Sequence, residues 1–143
     1  MSDEGIGVHI IKELEKKKVI KNTSFLDMGT SSLDIGYYID KDIEKLVIID
    51  CIKSDDHKPG TVFKLTLDDL QERKKDCFSL HQLGLIDSLI LNSIIDEFHQ
   101  TLIIGIVPYD IKTYSTSLSD CIQEKFSTIV EKIQNVIIGF FSN

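Results

Sequence analysis

The sequence predicts an α/β fold, a three-layer α/β/α sandwich built on a mostly parallel open sheet. Three observations lead there. Short apolar runs alternate with longer stretches of helical period, the pattern of βα units. The runs Leu46-Val47-Ile48-Ile49 and 101–108 are nearly unbroken and rich in branched side chains, as parallel strands covered on both faces require. No repeat, linker or low-complexity tract divides the 143 residues, which are read as one domain, 1–143, and the 42% hydrophobic content is enough to fill its core.

Each element follows from local pattern. Residues 5–18 place Ile6, Ile10 and Leu14 four apart with Ile11 beside them, opposite Lys12, Glu15 and Lys16, which predicts an amphipathic helix with Asp3 and Glu4 at its start. Ser24-Phe25-Leu26 predicts a short strand ending at Asp27. Met28-Gly29-Thr30-Ser31 then turns into a second helical stretch through Leu33, Tyr37 and Ile43. The buried strand Leu46-Val47-Ile48-Ile49 also ends on an aspartate, Asp50. Residues 53–60 are polar, contain Pro59-Gly60 and read as an exposed loop, and the alternation over 61–67 suits an edge strand. The charged segment 68–76 is ambiguous. Ser79-Leu80-His81-Gln82 introduces an apolar helix over 83–98, residues 101–108 form another strand, and 118–141 predict a terminal helix striped by Ile122, Phe126, Ile129, Val130, Ile133 and Ile137.

Charge and cysteine usage narrow the function classes. Sixteen basic against twenty-three acidic side chains leave a net charge of −7, poorly suited to a phosphate backbone or an anionic bilayer, so neither nucleic acid nor membrane is expected as a partner. Cys51, Cys77 and Cys121 share no CxxC spacing and read as free thiols in a reducing, cytoplasmic setting. No run of about 18 apolar residues occurs, and Met1-Ser2-Asp3-Glu4-Gly5 has neither the basic nor the apolar stretch of a signal peptide.

Ligands of open parallel sheets bind beyond the carboxyl ends of the strands, which makes Asp27 and Asp50 candidates to converge on one site. Each is equally readable as a turn or helix cap. Glu4 can serve a site or simply complement the dipole of the helix it precedes. His81 lies just ahead of a helix, and imidazole with carboxylates is a ligand set for nickel or zinc. His9, His57 and His99 read as solvated or capping side chains, and Cys51 as a small core residue. No GxSxG, GxGxxG or GxxxxGK[ST] pattern supports a serine nucleophile or a nucleotide site. A generic α/β domain whose acidic strand ends bind magnesium or a phosphorylated ligand is the plain alternative.

Taken together, Asp3-Glu4-Gly5-Ile6-Gly7-Val8, Asp27-Met28-Gly29-Thr30, Ile49-Asp50 with Pro59-Gly60-Thr61, Ser79-Leu80-His81-Gln82-Leu83-Gly84-Leu85 and Gly105-Ile106-Val107-Pro108 resemble the [NiFe]-hydrogenase maturation proteases in order and spacing over nearly the whole chain. The resemblance implies a phosphorylase/hydrolase-like sandwich. It also implies a cytoplasmic endopeptidase that removes a C-terminal extension from the hydrogenase large-subunit precursor once nickel has been inserted. The nickel would be supplied by the precursor and recognised by Glu4, Asp50 and His81, with zinc or cadmium as stand-ins in vitro. Asp27 and Asp50 would be the catalytic carboxylates, of aspartyl type. Two chemistries stay open: the metal polarises the scissile carbonyl and activates a water, or it only anchors the precursor while a carboxylate such as Asp27 assists proton transfer. A non-catalytic assembly factor that binds the precursor without cutting it is the alternative.

Two departures are visible. Met28 stands where the family's Asp-Gly-Gly-Thr motif has its first glycine. The family's first strand, which ends in Gly-Asn, is missing ahead of Asp3. It is expected to be encoded upstream, to have been lost, or to be replaced by another segment or a partner chain, so that a monomer or a strand-sharing dimer would result.

Overall fold

The branched aliphatic runs become the sheet. In the computed structural model, which describes residues 2–29, 42–65, 69 and 100–143, three strands are present: β1 (Lys45–Cys51), β2 (Val62–Leu65) and β3 (Gln100–Ile106). Their order is β1-β3-β2. β1 runs parallel to β3, from Lys45 opposite Gln100 to Cys51 opposite Ile106. β2 runs antiparallel to β3, from Val62 opposite Ile106 to Leu65 opposite Ile103. The alternating segment is thus an edge strand among the described residues, as its pattern requires, and the sheet is open and mixed.

Side-chain alternation sorts the strands into two faces. Val47, Ile49 and Cys51 of β1 and Ile104 and Ile106 of β3 face one cluster, which helices α1 (Ile6–Lys17) and α2 (Asp120–Ser142) complete through Ile6, Ile10 and Leu14 and through Ile122, Ile129, Val130, Ile133 and Ile137. Ile48, Ile52, Phe63, Leu65 and Ile103 form a second cluster on the opposite face. Both terminal helices therefore bury the stripes that their spacing predicts.

The helix ends are set by local chemistry. α1 follows a single 3-10 turn, Ser2–Gly5, and stops at Lys18, whose left-handed backbone (φ 51°) lets its N–H reach the Glu15 carbonyl. α2 starts at Ser119, whose extended backbone and hydroxyl cap the Ile122 N–H. Its last turn carries no basic residue. Lys45 supplies that charge from β1, donating to the Phe140 carbonyl at 3.0 Å with its ammonium 5.4 Å from the Phe140 ring centroid. α1 and β1 touch backbone to side at Gly7, where a Cβ would fall 2.6 Å from the Ile49 carbonyl oxygen.

One predicted element does not form. Ser24-Phe25-Leu26 is irregular chain rather than a strand. Of its two apolar residues only Phe25 turns inward, while Leu26 stays 43% exposed, so little burial holds the segment in a ladder. Ile43, the end of the predicted second helix, lies in the non-helical approach to β1. The rest of that helix, the predicted helix at 83–98, most of the charged stretch 68–76, His81, His99 and Cys77 lie outside the described residues. Among the described residues no helix is long and apolar enough to cross a membrane.

Candidate functional site

The parallel pairing of β1 with β3 carries Asp50 to the carboxyl end of β1, one residue before the strand stops. Its side chain shares a face with Leu46 and Ile48, away from α1 and α2. One carboxylate oxygen accepts the Cys51 N–H at 2.7 Å. Glu4 reaches the same end by another route. The 3-10 turn sets it just ahead of α1, and the close approach at Gly7 brings that turn against the last residues of β1. Asp27 arrives on the irregular segment after α1.

Glu4, Asp27 and Asp50 line one cavity of about 1250 Å³ that follows β1, with Gly7, Ile49 and Lys53 also in its wall. Two of these carboxylates, Asp50 and Glu4, also act on Cys51. Its thiol is held well above the usual range, first by burial and then by the negative charges of Asp50, Glu4 and Asp3. A thiol in that state is a packed core group rather than a nucleophile.

Asp27 has local duties as well. Its Oδ1 accepts the Gly29 N–H at 3.0 Å, closing an Asx turn, and its Oδ2 lies 3.9 Å from the Lys12 ammonium with both side chains largely in solvent. That ion pair is loose and screened. The turn explains how Met28 is accommodated. Gly29 (φ 52°) takes the left-handed position, and Met28 is not among the residues with positive φ, so the first glycine of the family motif is not needed for the backbone here.

Beneath Glu4 is a residue that the sequence marked only as standing at a helix start. Asp3 is completely buried. Its Oδ2 accepts the N–H groups of Tyr109 and Asp110 at 2.9 and 2.7 Å and the Ser119 hydroxyl at 2.8 Å, and its Oδ1 accepts the Ser119 N–H at 2.8 Å. Ser2 and Asp3 return backbone bonds to the Thr113 and Asp110 carbonyls. The donors lie more than a hundred residues away in sequence, so no local signal could have exposed this role. The loop they come from is itself fixed by Asp110, whose carboxylate is pulled below its ordinary range by hydrogen bonds from Thr113 and Lys112.

Two of the other histidines, His9 and His57, lie among the described residues. His9 Nε2 donates to the Thr116 carbonyl at 3.1 Å, and His57 Nδ1 pairs with the Ser54 hydroxyl at 2.8 Å. Among the described residues, no three His, Cys, Asp or Glu side chains gather as a ready metal site. Glu4 and Asp50 both line the cavity along β1, and carboxylates are a donor type that divalent metals accept.

Comparison with known proteins gives this geometry a context. A family model described as hydrogenase maturation protease matches residues 8–136. The hydrogenase 2 maturation protease of Escherichia coli K12 is 31% identical over 117 residues, covering 80% of this chain and 70% of its own length. Among solved structures, the hydrogenase maturating endopeptidase HybD from Escherichia coli superposes with a TM-score of 0.80 at 25% identity, over 97% of this chain and 86% of its own. The [NiFe] hydrogenase maturation protease HybD from Thermococcus kodakarensis does so with a TM-score of 0.75 at 28% identity, over 95% and 90%. With a family match over most of its length and the same α/β fold in those relatives, the chain belongs to the hydrogenase maturation protease family.

Proposed function

We propose that this peptidase removes a C-terminal extension from a [NiFe]-hydrogenase large-subunit precursor, and that it recognises the nickel the precursor already holds. The observation that carries the reading is that Glu4, Asp27 and Asp50 line one cavity along β1 in a chain of this family. Two carboxylates from separate elements, with His81 as the imidazole partner, fill part of a nickel coordination sphere and leave positions for precursor ligands or water. A partly filled sphere suits a metal that belongs to the substrate.

Asp27 and Asp50 divide the remaining work. Asp50 is both a metal ligand and a group beside the scissile peptide. Asp27, with a partly exposed side chain, would accept a proton from an attacking water. Holding the precursor by its metal next to these groups converts a bimolecular attack into a positioned one. Zinc or cadmium would act as stand-ins for the nickel in vitro.

The test is incubation with nickel-loaded and nickel-free precursor, followed by mass spectrometry of the large subunit. The expected result is loss of the C-terminal peptide only from the nickel-loaded form, abolished by Asp50→Asn and by His81→Ala and reduced by Glu4→Gln, with unfolding transitions kept cooperative. Cleavage independent of nickel would overturn the recognition step. Binding without cleavage would replace the peptidase reading with that of an assembly factor.

A further inference from the structure

We infer that Asp3 is the positioning residue for Glu4, and that it couples the metal-reading carboxylate to the loop over residues 109–119. The inference rests on the proposed role of Glu4 and adds to it the residue that aims it.

Asp3 has no opening to the cavity. It is fully buried, and its two oxygens take three backbone N–H groups and one hydroxyl, all donors. A buried carboxylate left without such partners would be strongly destabilising, so the four bonds fix the side chain in one place. Ser119 makes the arrangement directional. Its hydroxyl donates to Asp3 while accepting the Ile122 N–H, so the carboxylate sits at the amino end of the 23-residue helix α2, where a negative charge is favoured. The turn that carries Glu4 is therefore fastened to the start of α2, the longest helix among the described residues. Ser2 adds its N–H to the Thr113 carbonyl and its hydroxyl to the Ser117 carbonyl, which removes the remaining freedom of the turn.

The consequence for the site is geometric. Glu4 is the next residue in the same 3-10 turn and lines the cavity with Asp50. Ile111, from the loop that Asp3 holds, lines that cavity too. Moving the Asp3 carboxylate rotates the turn and displaces Glu4 relative to Asp50, while the hydrophobic clusters stay packed. A ligand carboxylate displaced by about 1 Å loses its metal contact, and loss of such supporting bonds costs about 10- to 100-fold in metal affinity in comparable sites.

The experiment measures affinity for precursor with and without nickel and uses their ratio as the readout. Asp3→Asn keeps the shape but sets an amide NH2 against an N–H donor. Expected for Asp3→Asn is a fall of about 10-fold in the nickel-loaded to nickel-free ratio, measured well below its melting temperature. Glu4→Gln should lower the ratio similarly, and the double variant should be no worse than Glu4→Gln alone. Ile133→Val, which loosens the core without touching the turn, serves as the control for lost stability and should leave the ratio unchanged. An unchanged ratio in Asp3→Asn, or losses that multiply in the double variant, would overturn the inference. If the native protein itself shows no preference for the loaded form, the nickel reading fails instead, and that outcome is visible before any variant is made.

Discussion

Cys51 is the residue whose surroundings make the sharpest solution prediction. Folding raises its pKa from an ordinary value of 9.0, because burial and the nearby charges of Asp50, Glu4 and Asp3 all disfavour the thiolate. The folded protein therefore holds this proton more tightly than the unfolded chain. The stabilisation is complete below about pH 9 and is lost as pH rises beyond it, by up to about 1.4 kcal/mol per pH unit. Urea unfolding at pH 8 and pH 10 should show a drop in native protein that is smaller in Cys51→Ala. Alkylation at pH 8 should label Cys121, which is partly exposed, long before Cys51. Reading Cys51 as a core residue needed only its place at the end of a branched apolar run. Strand-end logic likewise singled out Asp27 and Asp50, which the structure sets on one cavity although the strand before Asp27 does not form. Asp3 was not legible, because its burial depends on donors 106 to 116 residues away.

At the scale of elements, the approach of α1 to β1 turns on one missing side chain. A Cβ at Gly7 would meet the Ile49 backbone carbonyl at 2.6 Å, and neither partner is a flexible side-chain end that can yield. Gly7→Ala should push the helix off the strand and cost about 1–3 kcal/mol in a urea melt. Gly5→Ala, where the nearest neighbour is the His9 Cδ2 at 3.9 Å, should stay within about 1 kcal/mol of the native protein. Helices α1 and α2 and strands β1 and β3 were readable because burial stripes of period 3.6 and unbroken branched runs survive without tertiary help. Ser24-Phe25-Leu26 was misread for the complementary reason: three residues cannot declare a period, and what they do is decided by whether a ladder partner exists. The cap that Lys45 places on the far end of α2 is equally silent in sequence, since it joins residues 95 apart.

For the molecule as a whole, the main core is the meeting of α1, α2, β1 and β3, and its buried members come from α1, the end of β1, β3 and α2. Ile133 of α2 is completely buried there. Ile133→Ala should cost about 2–5 kcal/mol, a large share of the roughly 5–15 kcal/mol available to a domain of this size, and should lower the melting temperature without changing which precursor is recognised. The α/β class was legible from alternation alone, whereas the antiparallel sense of β2 was not, because an alternating strand pairs with its neighbour in either direction. The bonds from Asp3 to Tyr109, Asp110 and Ser119 have a further consequence for the order of assembly. They span 106 to 116 residues, so the turn that carries Glu4 reaches its final setting only after the segment through Ser119 has been made and folded back onto it.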